Sequence, residues 1–283
     1  SNESTDSVAD LKLSRAQLKI AINKGAAWLT KGEGKRKSTQ RIRRLKKPLK
    51  LGEILHFYYD EAVLSQACEP AKLIADYGDY SIWYKPYGML SQGSKWSDHL
   101  TITRFVQEYF EQQRACFIVH RLDRAATGLI VIAHAKKSAA ALSKMFEAHA
   151  LTKIYRIISH GFYDFGDDYQ AELPVDDKPA TSIFSPVAHD TESLLSELAV
   201  EIKSGRKHQI RKHAAALGFP VVGDRLHGDQ QQRYPESLNL QLCAAKLAFE
   251  CPIHGESREI ELDEELLPQL SAVKEKLRSE LVD

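Results

Sequence analysis

A chain of 283 residues with 43% hydrophobic content is long enough for one core of roughly 200 residues and a smaller appended unit. It has no run of about 18 apolar residues and no charged start followed by an apolar stretch and a cleavage site, so a membrane-spanning helix is excluded and a soluble, cytoplasmic protein is expected. Net charge is only +1, but between Lys31 and Lys50 ten Lys or Arg face the single acid Glu33, and from Glu256 to Asp283 nine acids face four bases. Charge segregated in this way suits a protein that lays one face on a polyanion, with a solvated basic loop as the competing reading.

In chain order, Ser14 followed by Leu18, Ala21 and Ile22, with Gly25 just past the last apolar position, predicts a short capped helix. Ala26–Leu29 reads as a strand, the basic stretch from Lys31 to Lys50 as a loop, and Ile54–Tyr59 as a second strand after the turn Leu51-Gly52-Glu53. Residues 10–60 therefore read as a small N-terminal α/β RNA-binding domain. Its expected task is to hold RNA backbone through Lys35, Arg36, Arg41, Arg43 and Arg44. Residues 61–72, with Pro70, read as a linker into a larger domain over 73–283. There the candidate strands are Ile74–Asp76, Tyr80–Tyr84, Gly128–Ala133, Lys153–His160, Leu195–Lys203, Leu240–Phe249 and Arg258–Leu262. The candidate helices are Thr101–Gln113, Lys136–Ala148, Lys207–Leu217 and Glu264–Leu277. Without a regular β-α-β beat, the expectation is an α+β domain on a mixed, mostly antiparallel sheet.

Four scattered cysteines, with no Cys-x-x-Cys pair, read as reduced and mostly buried thiols. Cys251 and His254 have a ligand-like offset but lack further well-spaced partners, and the eleven His are dispersed, so no metal is expected. Neither a Gly-x-Gly-x-x-Gly fingerprint nor a Gly-Lys-Ser/Thr phosphate loop occurs, so no cofactor is expected either.

Two segments carry candidate chemistry. In His120-Arg121-Leu122-Asp123-Arg124 an acid is bracketed by arginines just before the apolar run Leu129–Ala133, which favours the ionised form that a nucleophile or general base needs; taken alone, a salt-bridged loop explains it equally. The segment Ser204–His213 is rich in Lys, Arg and His with no acid. At helical spacing Lys207 and Arg211 share one side and Arg206 and Ile210 its neighbour, facing either an anion or solvent. Gly218–Asp224 follows as a tight apolar turn.

Together with Gly78–Leu90, which contains Lys85-Pro86-Tyr87-Gly88, these pieces resemble the RluA-type RNA pseudouridine synthases. The resemblance continues through Thr127-Gly128, Lys153-Ile154-Tyr155-Arg156, Lys178–Thr181, Gly205–Arg211, Gly218, Gly223-Asp224 and Leu242-Cys243-Ala244 before Leu247. The first sixty residues are similar to the small RNA-binding fold of a ribosomal small-subunit protein.

The resemblance implies that Asp123 is the catalytic carboxylate, Tyr155 the aromatic that stacks near uracil and assists proton removal, and Arg211 the ionic partner of Asp123. Arg121 would fill the gap left by an extruded nucleotide. His120, Arg124, Arg206, His208, Gln209 and Lys85 would bind substrate. Thr127 stands where the family has Ser, and Lys207 where it has Ser or Thr. The implied activity is isomerisation of uridine to pseudouridine in ribosomal or transfer RNA, with no cofactor and no obligate protein partner. A carboxylate-dependent glycosidase or base-excising glycosylase, a metal-dependent hydrolase, and a non-catalytic RNA-binding or assembly factor are the rivals. A glycosidase usually sets two acids across the bond, and only one sits in a motif here.

Overall fold

A computed structural model describes residues 13–32, 34–44, 48–161, 163–164, 166–228, 234–235 and 237–279. The first residues of the expected N-terminal domain (10–12) and part of the basic stretch (33 and 45–47) lie outside them, as does the side chain of Lys35. The chain forms two compact units, one of residues 1–66 with 93–100, the other of 67–92 with 101–283. Gly93–Leu100 thus belongs to the first unit, although the sequence reading assigns it to the second.

In the first unit, α1 (Arg15–Asn23) opens on a capping box in which Ser14 and Gln17 satisfy each other's backbone donors. Strands β1 (Ala27–Lys31), β2 (Ser38–Ile42) and β3 (Ile54–Phe57) form an antiparallel sheet in the order β2-β1-β3, and α2 (Glu61–Ser65) follows, capped by Asp60. The basic stretch is therefore not all loop. Its middle is β2, laid along β1 with Thr39 opposite Thr30 and their hydroxyls 2.8 Å apart. Dense positive charge hides that strand from periodicity, because β2 buries none of its residues. Within this unit Ser97 Oγ and Asp98 N both donate to Lys24 O, and Trp28 Nε1 donates to Lys95 O, which ties the 93–100 segment to α1 and β1.

The second unit is built on one sheet of ten strands with helices packed against it. In chain order it has β4 (Lys72–Asp76), β5 (Tyr80–Lys85), α3 (Ile102–Tyr109), β6 (Phe117–Ile118), β7 (Thr127–Ala133), α4 (Lys136–Glu147), β8 (Thr152–His160) and β9 (Tyr169–Ala171). There follow β10 (Ser182–Asp190), β11 (Leu195–Ile202), α5 (Gln209–Ala216), β12 (Leu242–Glu250), β13 (Ser257–Glu261) and α6 (Leu270–Ser279). The strand order is β4-β5-β7-β12-β8-β11-β10-β9, with β6 on β7 and β13 on β12. Every pairing is antiparallel except β7 with β12, whose parallel ladder holds only Thr127 opposite Cys243 and Gly128 opposite Ala244.

Sequence pattern explains most of these elements. Leu129–Ala133 is apolar without alternation and wholly buried, as a central strand covered on both faces must be. In β11 the alternating Leu198, Val200 and Ile202 point inward, and Glu197 and Glu201 do not. Three strands of this unit go unread: β6 and β9, which are only two and three residues long, and β10. Pro186 breaks the strand signature of β10, and the strand accommodates it at a bulge beyond the three residues that pair with β9.

Helix boundaries shift for backbone reasons. His208 adopts a left-handed conformation (φ 56°), so α5 begins at Gln209 and Arg206 and Lys207 precede it instead of lying on its face. The helix expected from Glu264 is a single 3-10 turn, Glu264–Leu266, followed after Pro268 by α6.

The β7–β12 junction demands glycine. Gly128 has φ +104°, and a Cβ there would meet the backbone of Ala244 at 2.5 Å from its nitrogen. Gly128→Ala is expected to cost more than about 2 kcal/mol of stability, read as a lower urea midpoint at an unchanged slope. A loss under about 0.5 kcal/mol would show that the junction yields freely.

Candidate active site

The motif 120–124 runs into β7 and is held from below by the segment that leaves β5. Ser91 Oγ donates to Leu122 O at 2.7 Å and accepts from Leu122 N at 3.0 Å, and Gly88 N donates to Arg124 O at 3.0 Å. Lys85 is fully buried and aims Nζ at the carbonyls of Met89 (3.0 Å), Pro86 (3.1 Å) and Arg124 (3.5 Å). Its expected place among substrate-binding residues is corrected: with its ammonium spent on three carbonyls, Lys85 fastens the two loops together. Burial pulls it down to about 8, and nearby Asp123 opposes that shift.

His120 also faces inward. Its ring stacks on Phe146 (centroids 4.0 Å apart) and its Nε2 accepts from Val131 N at 3.0 Å, so it holds the loop to β7, and it also lines a cavity beside Lys153. Burial pushes this imidazole down to about 3, and it stays neutral. With the backbone so fixed, the Asp123 side chain projects into a cavity of about 90 Å³ whose wall includes Tyr155, Arg206, His208 and Leu242. Arg121 and Arg124 are exposed, and Arg121 makes no hydrogen bond or ion pair among the described residues.

Arg211 arrives from α5. Its Nη1 lies 3.7 Å from Asp123 Oδ2, and its Nε and Nη2 donate to Asp224 at 2.8 and 2.6 Å. The Asp224 side chain is 1% exposed and also accepts from the backbone N–H groups of Leu226 and His227. Burial would push the Asp224 carboxyl up, but Arg211 and those two N–H groups outweigh it and hold it below its usual range. The sequence reading has Asp224 as the end of a tight turn and as part of the Gly223-Asp224 motif of the resemblance, without assigning it a role; the available signal was an acid among apolar turn residues, thirteen positions after the arginine it holds.

His208 lines the same cavity, with Nε2 3.8 Å from Asp123 Oδ2 and Nδ1 2.8 Å from His227 Nε2. Gln209 also lines this cavity, but the polar atoms of its side chain are engaged within the protein. Its amide donates to Thr181 O and Ser182 Oγ and its oxygen accepts from Ser204 Oγ and Arg206 N, which pins the 204–206 turn to β10.

In the first unit, Arg36 and Arg44 are exposed. Arg41 donates to Gly25 O and Ser94 O and stacks over Trp28 at 4.4 Å, and Arg43 pairs with Asp98. These two arginines are therefore engaged within their own unit.

A family model described as RNA pseudouridylate synthase matches residues 79–216, which contain Asp123, Tyr155 and Arg211. The tRNA pseudouridine synthase C of Vibrio parahaemolyticus is 31% identical over 204 residues, 61% of this chain and 81% of that protein. The chain belongs to the RNA pseudouridine synthase family. An uncharacterised RNA pseudouridine synthase of Synechocystis is 29% identical over 200 residues, and the match covers 64% of this chain and 66% of the relative. The solved human RNA pseudouridylate synthase domain containing 1 shares the fold, with a TM-score of 0.59 at 20% identity over 75% of this chain and 96% of that one. No described helix is long and apolar enough to cross a membrane.

In this pseudouridine synthase Tyr155 stands on β8 opposite Ala244, which itself pairs with Gly128, so the tyrosine and the Asp123 loop meet across the parallel junction. Burial, with Asp123 adding to it, raises the Tyr155 phenol far above neutrality, so the ring offers a flat face and an O–H but no phenolate. The Arg211–Asp224 pair makes a stability prediction. Asp224→Ala should cost about 3–5 kcal/mol, because it strands a buried guanidinium. The folded carboxyl titrates below its unfolded value, so its contribution is complete above the unfolded pKa and fades as pH falls through the folded one. Urea melts from neutral to acid pH should therefore show the gap between wild type and variant closing on the acid side.

Proposed function

We propose that this pseudouridine synthase converts uridine to pseudouridine in a structured RNA, ribosomal or transfer, with Asp123 as the essential carboxylate and Arg211 as its ionic partner. The observation that carries the reading is that Asp123 is the only acid among the described residues lining its cavity and that a buried arginine, fixed by Asp224, stands 3.7 Å from it. A glycosidase places two acids across the bond it cleaves. Here Asp224, the other carboxylate on Arg211, is saturated by that arginine and two backbone N–H groups.

The reaction breaks the bond from ribose C1′ to uracil N1, turns the base and joins C1′ to C5; the C5 proton leaves and N1 gains one. An ionised Asp123 supports this either by attacking the sugar or base or by taking a sugar proton. A stacked uridine is out of reach, so the nucleotide is extruded at a cost on the order of a few kcal/mol. Arg121, exposed and unpartnered at the rim, is suited to fill the vacancy, and the Tyr155 face supports the base.

The N-terminal unit acts in this reading as an RNA-backbone holder. Of the arginines expected to hold RNA there, Arg36 and Arg44 are exposed, whereas Arg41 and Arg43 are engaged internally.

Pseudouridine mapping of ribosomal and transfer RNA from cells lacking the protein tests the activity. One or a few uridines should lose modification, and wild type but not Asp123→Asn should restore them. Restoration by Asp123→Asn would overturn the role of Asp123. For the N-terminal unit, Arg36→Ala with Arg44→Ala should flatten the salt dependence of RNA binding by about 1–2 in log–log slope. An unchanged slope would remove these residues from the RNA footprint.

A further inference from the structure

Next to the Asp123 cavity, and sharing Tyr155, Arg121 and the Gly205-Arg206 turn as its wall, the second unit holds a larger cavity of about 520 Å³. Lys153 lines it. This residue precedes Tyr155 by two positions on β8, so the two side chains leave the same face of the sheet. Lys153 is only 7% exposed and makes no hydrogen bond or ion pair among the described residues. Its Nζ points toward the 205–206 turn, 4.0 Å from where a Cβ on Gly205 would stand.

The surroundings add positive charge. Arg121 and Arg206 line the same space, as does His149, and Glu147, the one acid there, forms no ion pair among the described residues. Burial with nothing to offset it lowers the Lys153 pKa. A cation withdrawn from water without a counter-charge is costly, and a fold keeps one when a ligand supplies the missing charge. Among the described residues the other buried Lys and Arg of this unit have partners: Lys85 on β5 has three carbonyls and Arg211 on α5 has Asp224.

We propose that this second cavity is a phosphate subsite in which Lys153, flanked by Arg206, receives a backbone phosphate of the RNA adjoining the nucleotide held at Asp123. The proposal rests on the RNA reading above and adds a place for the neighbouring nucleotide. Two residues along a strand span about 7 Å, comparable to the step between successive phosphates of an extended strand, so Tyr155 and Lys153 suit a base and the phosphate next to it.

The test uses the full chain and a fluorescein-labelled oligouridylate, with binding followed by anisotropy against KCl concentration. Lys153→Met should flatten the log–log salt slope by about 0.7, the share of one phosphate on a single strand, and Lys153→Arg should keep the wild-type slope. Asp123→Asn should also keep it, so failure of the catalytic reading and failure of this one are distinguishable. Because Lys153→Met removes a lone buried charge, its melting temperature should be no lower than wild type. A slope unchanged in Lys153→Met, or a melting temperature that falls and is recovered by Lys153→Arg while the slope stays put, would overturn the subsite. So would inorganic pyrophosphate raising the wild-type melting temperature through Lys153 with no effect of the variant on oligouridylate binding.

Discussion

The site depends on one buried ion pair. Arg211 could not present a guanidinium to Asp123 from inside the protein unless something else paid its desolvation, and Asp224 does so through two parallel hydrogen bonds. Because those bonds use Nε and Nη2, the planar fork leaves Nη1 aimed at Asp123, 3.7 Å away. Asp224 is in turn fixed by backbone N–H groups of its own turn, so the orientation of the arginine is inherited from backbone geometry. A lysine at 211 could hold only one of these carboxylates with defined direction.

The same logic governs the other side of the cavity. Asp123 sits on an irregular segment, which would wander if its backbone were left to solvent. Lys85, Gly88 and Ser91 prevent this by binding the carbonyls and N–H group of residues 122 and 124 from a second loop that leaves the neighbouring strand. Both loops open at the short parallel ladder between β7 and β12. A ladder of two pairs, closed by a glycine with no side chain to separate the strands, brings Tyr155 of β8 within reach of a loop that precedes β7. The three side chains proposed to act together, Asp123, Tyr155 and Arg211, thus come from three separate stretches of chain.

How far the sequence discloses this follows from what each residue has to satisfy. Apolar runs and alternation reveal β7, β8, β11 and β12, because burial on a sheet imposes them. The strand within the basic stretch and the proline-bearing β10 are hidden, since one buries none of its residues and the other breaks the strand signature with a proline at a bulge. Asp123, Tyr155 and Arg211 were legible through the resemblance of their spaced motifs. The division of labour among their neighbours was not. His120, Gln209 and Lys85 look like binding residues in a list of polar motif positions, yet polar atoms of each are taken up by internal contacts: Val131 N, Thr181 with Ser182, and the carbonyls of Pro86, Met89 and Arg124. Asp224, conversely, looks like a turn residue until Arg211 is folded against it.

Electrostatics gives these inward turns a common consequence. Burial holds His120, His208 and His227 below the usual imidazole range, and the Tyr155 phenol is held above its own. Around Asp123 the histidines and Tyr155 are therefore uncharged at neutral pH, while the arginines, Lys85 at about 8, and Asp224, whose carboxyl is held low, keep their charge. Arg211 and Asp224 cancel, leaving Asp123 as the one uncompensated negative charge in a cavity whose rim carries Arg121 and Arg206. A polyanion is drawn to such a rim, while the carboxylate inside repels phosphate. The result is a preference for a neutral group, such as a base or sugar, at the centre and for charged backbone at the edge.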